Sequence, residues 1–156
     1  MQIVPGKAML FVSQAPSLSI LIVLAFVLLL LIIFSALISG SEVAYFSLDA
    51  KKRDVLSSEK TTSGNRVINL LGTPKKLLAT ILIANNFINV SIVMVSYYFT
   101  KGVFAGSVLP ELAMFLINAI GATFVILLFG EVIPKVYATK HSVSFSKFMS
   151  SPISFL

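Results

Sequence analysis

The sequence predicts an all-α integral membrane protein with three transmembrane helices, juxtamembrane amphipathic helices at the inner face, and a homodimeric assembly. Hydrophobic residues make up 57% of the chain and charged residues only 12%, whereas soluble domains contain about 25% charged residues. Three runs, at 20–38, 77–99 and 112–129, approach the ~20 apolar residues that cross a hydrocarbon core of about 30 Å. A soluble domain of 156 residues has no core large enough to bury three such helices.

The basic residues lie unevenly along this arrangement. Seven of the twelve lie between the first two apolar runs, three follow the third run, and only Lys7 and Lys101 lie on the opposite side. By the positive-inside rule the N-terminus is outside, whereas segment 49–76 and the C-terminus are cytoplasmic. The net charge of +6 therefore indicates topology in a multi-pass protein of the cell (inner) membrane. It implies anionic lipid headgroups as partners, and no nucleic acid.

The first elements follow from chain order. Residues 1–18 form an outside leader, and the first span covers about 19–45, which is too long for the apolar core of a cleaved signal peptide. Asp49 is a predicted N-cap. Juxtamembrane helices cover about 49–72, with a loop at 61–65, and place their apolar faces on the inner interface.

The remaining elements follow from two proline signals. Thr73 caps the second span, about 74–99, and Pro74 occupies its first turn, where a missing N–H is harmless. The third span covers about 110–133. A further juxtamembrane helix follows at about 136–150, with aromatic residues among lysines.

Two serines and a glutamate share one face of the first span. Ser35, Ser39 and Glu42 are spaced i, i+4 and i+7, which places two hydroxyls and a carboxylate together. The alternative is structural: the serines bond back to their own helix, and Glu42 marks the inner boundary. Ala36 and Gly40, two small residues four apart, predict close helix approach and hence a homodimer.

Three asparagines lie within five residues of the second span. Asn85 and Asn89 share a face, and Asn86 lies between them. Each amide needs hydrogen-bond partners inside the membrane, so both a structural network between helices and a polar ligand site remain open.

A carboxylate and a proline meet at the end of the third span. Pro134 has no N–H for the carbonyl of Gly130 and crowds it, so a free carbonyl oxygen is expected beside the Glu131 carboxylate. Proline also disfavours helical dihedrals at Ile133, which predicts a loosened turn. The alternative is a helix that ends at the interface, with Glu131 in water and Lys135 as its counter-ion.

Together these residues predict an all-oxygen cation site. Hydroxyl, amide, carbonyl and carboxylate oxygens suit Mg²⁺, Ca²⁺ or Na⁺, and the chain has no cysteine for a thiolate site. Because the set holds one carboxylate, Na⁺ stays an alternative. The lone histidine, His141, lies in the basic tail, and no nucleophile–base pair is spaced for catalysis, so we do not expect an enzyme.

Three stretches, SALISGSEVAYFSL, LLATILIANNFINV and FGEVIPKVYA, resemble the transmembrane domain of the CorC/cyclin M (CNNM) family of magnesium transport proteins. The resemblance covers residues 35 to about 150 within a domain at 19–150. It implies a dimer, Mg²⁺ export coupled to Na⁺ entry, and metal ligands among serine, asparagine and Gly-Glu positions. The implied ligands are Ser35, Ser39, Asn85 or Asn86, and Gly130 with Glu131.

The resemblance leaves two functions open. Family proteins continue into a CBS pair that binds ATP, a region absent from this chain, so ATP is expected only through that region. The first function is Mg²⁺ export through the intramembrane site, with Na⁺ as coupling ion. The alternative is a non-transporting membrane anchor or adaptor, similar to the gliding-motility branch of the fold, with a structural or vestigial Mg²⁺ site.

Overall fold

Residues 16–156, which this computed structural model describes, are almost entirely helical. The helices are α1 (Leu18–Phe46), α2 (Ala50–Ser58), α3 (Thr62–Leu71), α4 (Pro74–Val103), α5 (Glu111–Val125), α6 (Ile133–Lys140) and α7 (Ser142–Phe155), with a π-helical turn (Ile126–Val132) joining α5 to α6. No β-strand occurs in these residues. The predicted all-α class is confirmed.

Three helical stretches are long and apolar enough to cross a membrane. They are α1, α4 and the continuous stretch Glu111–Lys140 that comprises α5, the π-helical turn and α6. At 1.5 Å per residue, helices of 29 and 30 residues extend for about 45 Å. Most of their apolar side chains are exposed on the outside of the bundle, which is the arrangement expected of surfaces that face lipid.

Pro134 does not end the third stretch. Ile133 keeps helical dihedrals, with φ −60° and ψ −48°, so the expectation that proline would displace it from the helical region is wrong. The Ile133 N–H donates to the Leu128 carbonyl, five residues back. A π-helical turn is wider than an α-helical one. The extra width relieves the crowding by the proline ring, and the helix runs on to Lys140 rather than ending near 133.

The start signals have different outcomes. The Asp49 side chain accepts a hydrogen bond from the Lys52 N–H at 2.8 Å, so the predicted cap is confirmed. Pro74 begins α4, but Thr73 makes no side-chain cap bond. The predicted loop at 61–65 is wrong, because Thr61 instead caps α3 by accepting a hydrogen bond from the Gly64 N–H.

Helices α2, α3 and α7 pack against the C-terminal end of α1 and the N-terminal end of α4, and we call these three helices the base. The main apolar core lies there, and its buried members come from five helices and the α1–α2 connection: Ile38, Tyr45, Leu48, Leu56, Val67, Leu77, Ile81, Met149 and Ile153. Lys147 of α7 also forms an ion pair with Glu59, the residue that ends α2. The base therefore fixes the positions of α1 and α4 where they enter the apolar region.

Gly40 packs within the chain rather than against a second copy. A Cβ built on Gly40 would lie 2.7 Å from the Phe145 ring of α7, so the small residue allows that ring to lie on α1. The close helix approach predicted at Gly40 therefore occurs with α7 of the same chain. The dimer itself remains a prediction.

Candidate functional site

The polar face of α1 is buried between helices. Ser35 is 0% exposed and Ser39 is 1% exposed, and Gly40 beside them is also buried. The buried side of α1 contacts α4, the π-helical turn and α6. The two hydroxyls therefore lie inside the helical assembly, at the level where three elements meet.

A chain of hydrogen bonds crosses these three elements. The Ser35 hydroxyl donates to Asn89 Oδ1 at 2.9 Å, and Asn89 Nδ2 donates to Glu131 Oε1 at 3.2 Å. A serine of α1, an asparagine of α4 and a glutamate of the π-helical turn are thus linked. We call Ser35, Asn89 and Glu131 the polar relay.

Gly130 allows the π-helical turn to approach α1. A Cβ at this position would lie 2.7 Å from Ser35 Oγ and 3.4 Å from Ser35 Cβ, distances at which backbone or side chain would have to shift. The backbone of Gly130 is therefore in close contact with Ser35, directly beside the Glu131 carboxylate. Pro134, four residues later, contributes no N–H to this turn.

Two buried oxygen atoms lie next to the relay without a partner. Ser39 Oγ and Asn85 Oδ1 are buried, and neither has a hydrogen-bond partner among the described residues. Leu21 lies against Gly102 and Ser35 against Asn89, so α1 and α4 run antiparallel. Ser39 lies one turn after Ser35 on α1, and Asn85 lies one turn before Asn89 on α4. Because the helices are antiparallel, Ser39 and Asn85 are at the same level.

The structure separates the three asparagines. Asn89 belongs to the relay, Asn85 has its buried oxygen one turn away, and Asn86 is exposed. Consecutive helical residues point about 100° apart, so Asn85 and Asn86 cannot face the same site. Asn86 therefore does not lie with the relay and the two unpartnered oxygen atoms. Asn89 is not among the ligands expected from the sequence. Its i, i+4 spacing from Asn85 matches that of Ser35 and Ser39, and this spacing could have identified it.

The nearby lysine pairs with a different carboxylate. Lys135 Nζ lies 3.1 Å from Glu42 Oε2, so the alternative in which Lys135 is the counter-ion of Glu131 is wrong. In residues 16–156 no group of three or more His, Cys, Asp or Glu side chains comes together. The cluster around the relay combines neutral oxygen atoms with the carboxylate of Glu131.

Cavities lie on both sides of the relay along the helix axes. Toward the base, a cavity of about 380 Å³ is lined by the Glu42–Lys135 pair and by Phe46 and Leu78. In the opposite direction, a cavity of about 290 Å³ lies between α1, α4 and α5, and its polar lining includes Ser96, Thr100 and Asn118. The relay therefore lies between two spaces along the helix axes.

Two curated bacterial proteins are similar to this chain. A UPF0053 protein of Haemophilus influenzae is 31% identical over 131 residues, which cover 80% of this chain and 28% of the relative. The UPF0053 inner membrane protein YfjD of Escherichia coli is 32% identical over 132 residues, which cover 78% of this chain and 28% of the relative. The chain thus spans about 28% of the length of these curated relatives.

A family model matches most of the chain as well. The model of the cyclin M transmembrane N-terminal domain matches residues 26–156. This range includes the relay, the two unpartnered oxygen atoms and the whole base. The chain therefore belongs to the cyclin M (CNNM) transmembrane-domain family of membrane proteins.

Proposed function

We propose that this chain is the membrane domain of a divalent-cation transporter, that its cargo is Mg²⁺, and that the ion passes through the relay and the oxygen atoms beside it. The single observation that carries the proposal is the pair of unpartnered buried oxygen atoms, Ser39 Oγ and Asn85 Oδ1. A buried polar group without a partner costs about 1–3 kcal/mol. A cation held between these atoms and Glu131 would remove that cost.

The donor set favours a hard cation. Its proposed members are hydroxyl, amide, backbone carbonyl and carboxylate oxygen atoms: Ser35, Ser39, Asn85, Asn89, Gly130 and Glu131. Mg²⁺ prefers oxygen ligands and is commonly held by one or two carboxylates. We therefore take Mg²⁺ as the cargo. We keep Na⁺ as the coupling ion, whose entry into the cell drives the release of Mg²⁺.

The relay explains how the site closes when no ion is bound. Asn89 accepts a hydrogen bond from Ser35 and donates one to Glu131, so the polar groups satisfy one another. A cation would compete for the Asn89 and Glu131 oxygen atoms and turn the hydroxyl and amide protons away. Ion binding and the inter-helix hydrogen bonds are then alternatives, which couples occupancy to the packing of α1, α4 and the π-helical turn.

The two cavities support alternating access. In this proposal the 380 Å³ cavity is the approach from the cytoplasmic side, and the 290 Å³ cavity is the start of the exit. Movement of the π-helical turn relative to α1 would open one and close the other, a shift between two populated states. We also propose that the working unit is a homodimer in the inner membrane. Its base, helices α2, α3 and α7, would lie on the cytoplasmic side.

Reconstituted vesicles test this proposal. Vesicles loaded with Mg²⁺ and containing the protein are expected to release Mg²⁺ when Na⁺ is supplied on the opposite side. Glu131→Gln removes the carboxylate but keeps the shape, so Mg²⁺ affinity measured by calorimetry should fall more than about 100-fold, beyond the loss that outer-shell changes produce. Asn86→Ala is the matched control, because Asn86 is exposed.

Two outcomes contradict the proposal in different ways. If Glu131→Gln transports and binds Mg²⁺ like the parent protein, the assigned site is wrong. If Mg²⁺ binds and stabilises the parent protein but no gradient produces flux, the anchor alternative is correct. Tighter binding of Na⁺ than of Mg²⁺ in the same calorimetry would identify a sodium site.

A further inference from the structure

The structure has a basic pocket at the junction of α3, α4 and α7. The pocket has a volume of about 310 Å³, and the residues that define it here are Arg66, Thr73, Lys76 and Ser154. Two cations and the hydroxyl groups of Thr73, Thr80 and Ser154 therefore line one concave surface. That combination suits a phosphate group, because the cations neutralise its charge and the threonine hydroxyls can donate to its oxygen atoms. The Ser154 hydroxyl donates instead to the Ser151 carbonyl at 2.8 Å.

The two cations of the pocket have no acidic partner. The ion pairs among residues 16–156 are Lys135–Glu42 and Lys147–Glu59, and neither includes Arg66 or Lys76. No side-chain hydrogen bond occupies either cation in this part of the chain. Their charges are therefore available to an anion from outside the chain.

An apolar groove continues from the basic pocket along α4. It has a volume of about 770 Å³ and is lined by side chains of α1, α4 and α7, which include Phe34, Ala84, Phe87 and Phe148. Thr80 and Leu156 line both spaces. The charged end and the apolar end thus form one continuous surface.

The dimensions match one leaflet of a bilayer. Along α4 the surface runs from Lys76 in the pocket to Ile88 in the groove, and twelve residues of helix extend about 18 Å. Half of a hydrocarbon core measures about 15 Å. An acyl chain beginning at the pocket would therefore lie along the groove for its length within one leaflet.

We propose that the basic pocket and the apolar groove form a binding site for an anionic phospholipid, whose phosphate contacts Arg66 and Lys76 and whose acyl chains occupy the groove. Charge complementarity identifies this occupant. A second copy of the chain, with a net charge of +6, is repelled overall by this basic surface, whereas an anionic headgroup is attracted. The site does not depend on the proposed transport, since none of its residues belongs to the relay.

Lipid titration of the detergent-purified protein tests the headgroup contact. Phosphatidylglycerol and phosphatidylcholine with identical acyl chains are added, and bound lipid is measured by native mass spectrometry. We expect phosphatidylglycerol to bind more tightly, and the double variant Arg66→Gln/Lys76→Gln to lose this affinity on the order of 30-fold, as two headgroup attractions are removed. The control Lys51→Gln/Lys75→Gln removes two exposed cations outside the pocket and should leave the affinity unchanged.

A second pair of variants tests the groove. Phe87 and Phe148 line it and are 74% and 65% exposed, so Phe87→Ala/Phe148→Ala should remove acyl-chain contacts without unfolding the protein. Affinity for phosphatidylglycerol should fall about tenfold, as expected from the loss of two large apolar contacts. The matched control, Phe115→Ala/Phe124→Ala, truncates two exposed phenylalanines of α5 and should have no effect.

Three results would overturn the proposal. Equal binding of the two lipids in the parent protein would show that the pocket does not select an anionic headgroup. Full competition by water-soluble glycerophosphoglycerol, which lacks acyl chains, would identify a phosphate site without a lipid tail. Unchanged lipid binding in Phe87→Ala/Phe148→Ala, together with an altered oligomeric state, would assign the groove to a second copy of the chain.

Discussion

Two hydrogen-bonded groups in the spanning region have an asparagine between helices. They differ in whether buried oxygen atoms without a hydrogen-bond partner lie beside them. Near one end of α4, the Thr100 hydroxyl donates to Asn118 Oδ1 at 3.2 Å. Near the middle of α4, Asn89 links Ser35 to Glu131. The Thr100–Asn118 pair joins two neutral groups, whereas the relay includes a carboxylate and lies beside two unpartnered buried oxygen atoms.

This difference distinguishes adhesion between helices from the proposed ligand site. A neutral, satisfied amide in a membrane protein stabilises helix packing by about 0.6–2 kcal/mol and needs no further explanation. A carboxylate and unpartnered oxygen atoms in the same region carry a cost that packing does not repay. The three changes below test that distinction, from the largest expected effect to the smallest.

Gly130→Ala should have the largest effect on the relay. The new Cβ would lie 2.7 Å from Ser35 Oγ, so either the Ser35 hydroxyl must rotate away from Asn89 or the π-helical turn must move away from α1. We expect the free energy of unfolding to fall by about 1–3 kcal/mol, as in other overpacked interiors, together with weaker Mg²⁺ binding. Thermal unfolding with and without Mg²⁺ measures both.

Gly121→Ala is the matched control for this change. Gly121 lies on the preceding helix, α5, and a Cβ there meets no atom within 4 Å. Its unfolding temperature should equal or slightly exceed that of the parent protein, because alanine stabilises a helix by about 0.5–1 kcal/mol relative to glycine, and its Mg²⁺ response should be unchanged. If Gly130→Ala behaves like Gly121→Ala, the close approach of Gly130 to Ser35 has no role in the site.

Ser39→Ala should have an effect that depends on the cation. Without Mg²⁺ the substitution removes an unpartnered buried hydroxyl, so stability should be unchanged or rise by up to about 1–3 kcal/mol. With Mg²⁺ the added stabilisation should be smaller than in the parent protein, because one ligand is missing. A fall in stability without Mg²⁺, with a normal Mg²⁺ response, would show that the hydroxyl is structural.

Asn118→Leu should have the smallest effect. It removes the hydrogen bond from Thr100, so stability should fall by roughly 0.6 kcal/mol, the average for such bonds between membrane helices. Mg²⁺ affinity should not change, since Asn118 lines the proposed exit cavity and lies outside the relay. Loss of Mg²⁺ binding in this variant would show that the Thr100–Asn118 pair does more than hold two helices together.

The helices of the spanning region could be predicted because lipid imposes strong and simple requirements. Long apolar runs and uneven basic charge depend only on composition along the chain. The serine face of α1 followed from i, i+4 spacing, which a helix converts directly into a shared side. These features are local, so one sequence is sufficient to find them.

Two features could not be predicted because they depend on neighbouring helices. The choice of Asn89 requires the register between α1 and α4, which sets Ser35 opposite Asn89 rather than opposite Asn86. The fate of Pro134 requires knowing that the helix can widen at Ile126–Val132 instead of breaking. In both cases tertiary packing selects among conformations that local rules leave possible.

The contact between Phe145 and Gly40 has a mechanical consequence. Gly40 follows Ser39 directly in the chain, and the Phe145 ring fills the space above it. Any tilt or slide of α7 must therefore either drag α1 at the residue after Ser39 or lift the ring off and leave a gap. A force applied to the protein through α7 would reach the residue after Ser39 through this ring, and would reach the end of α1 through the hydrogen bond from the Tyr45 hydroxyl to the Ser146 carbonyl.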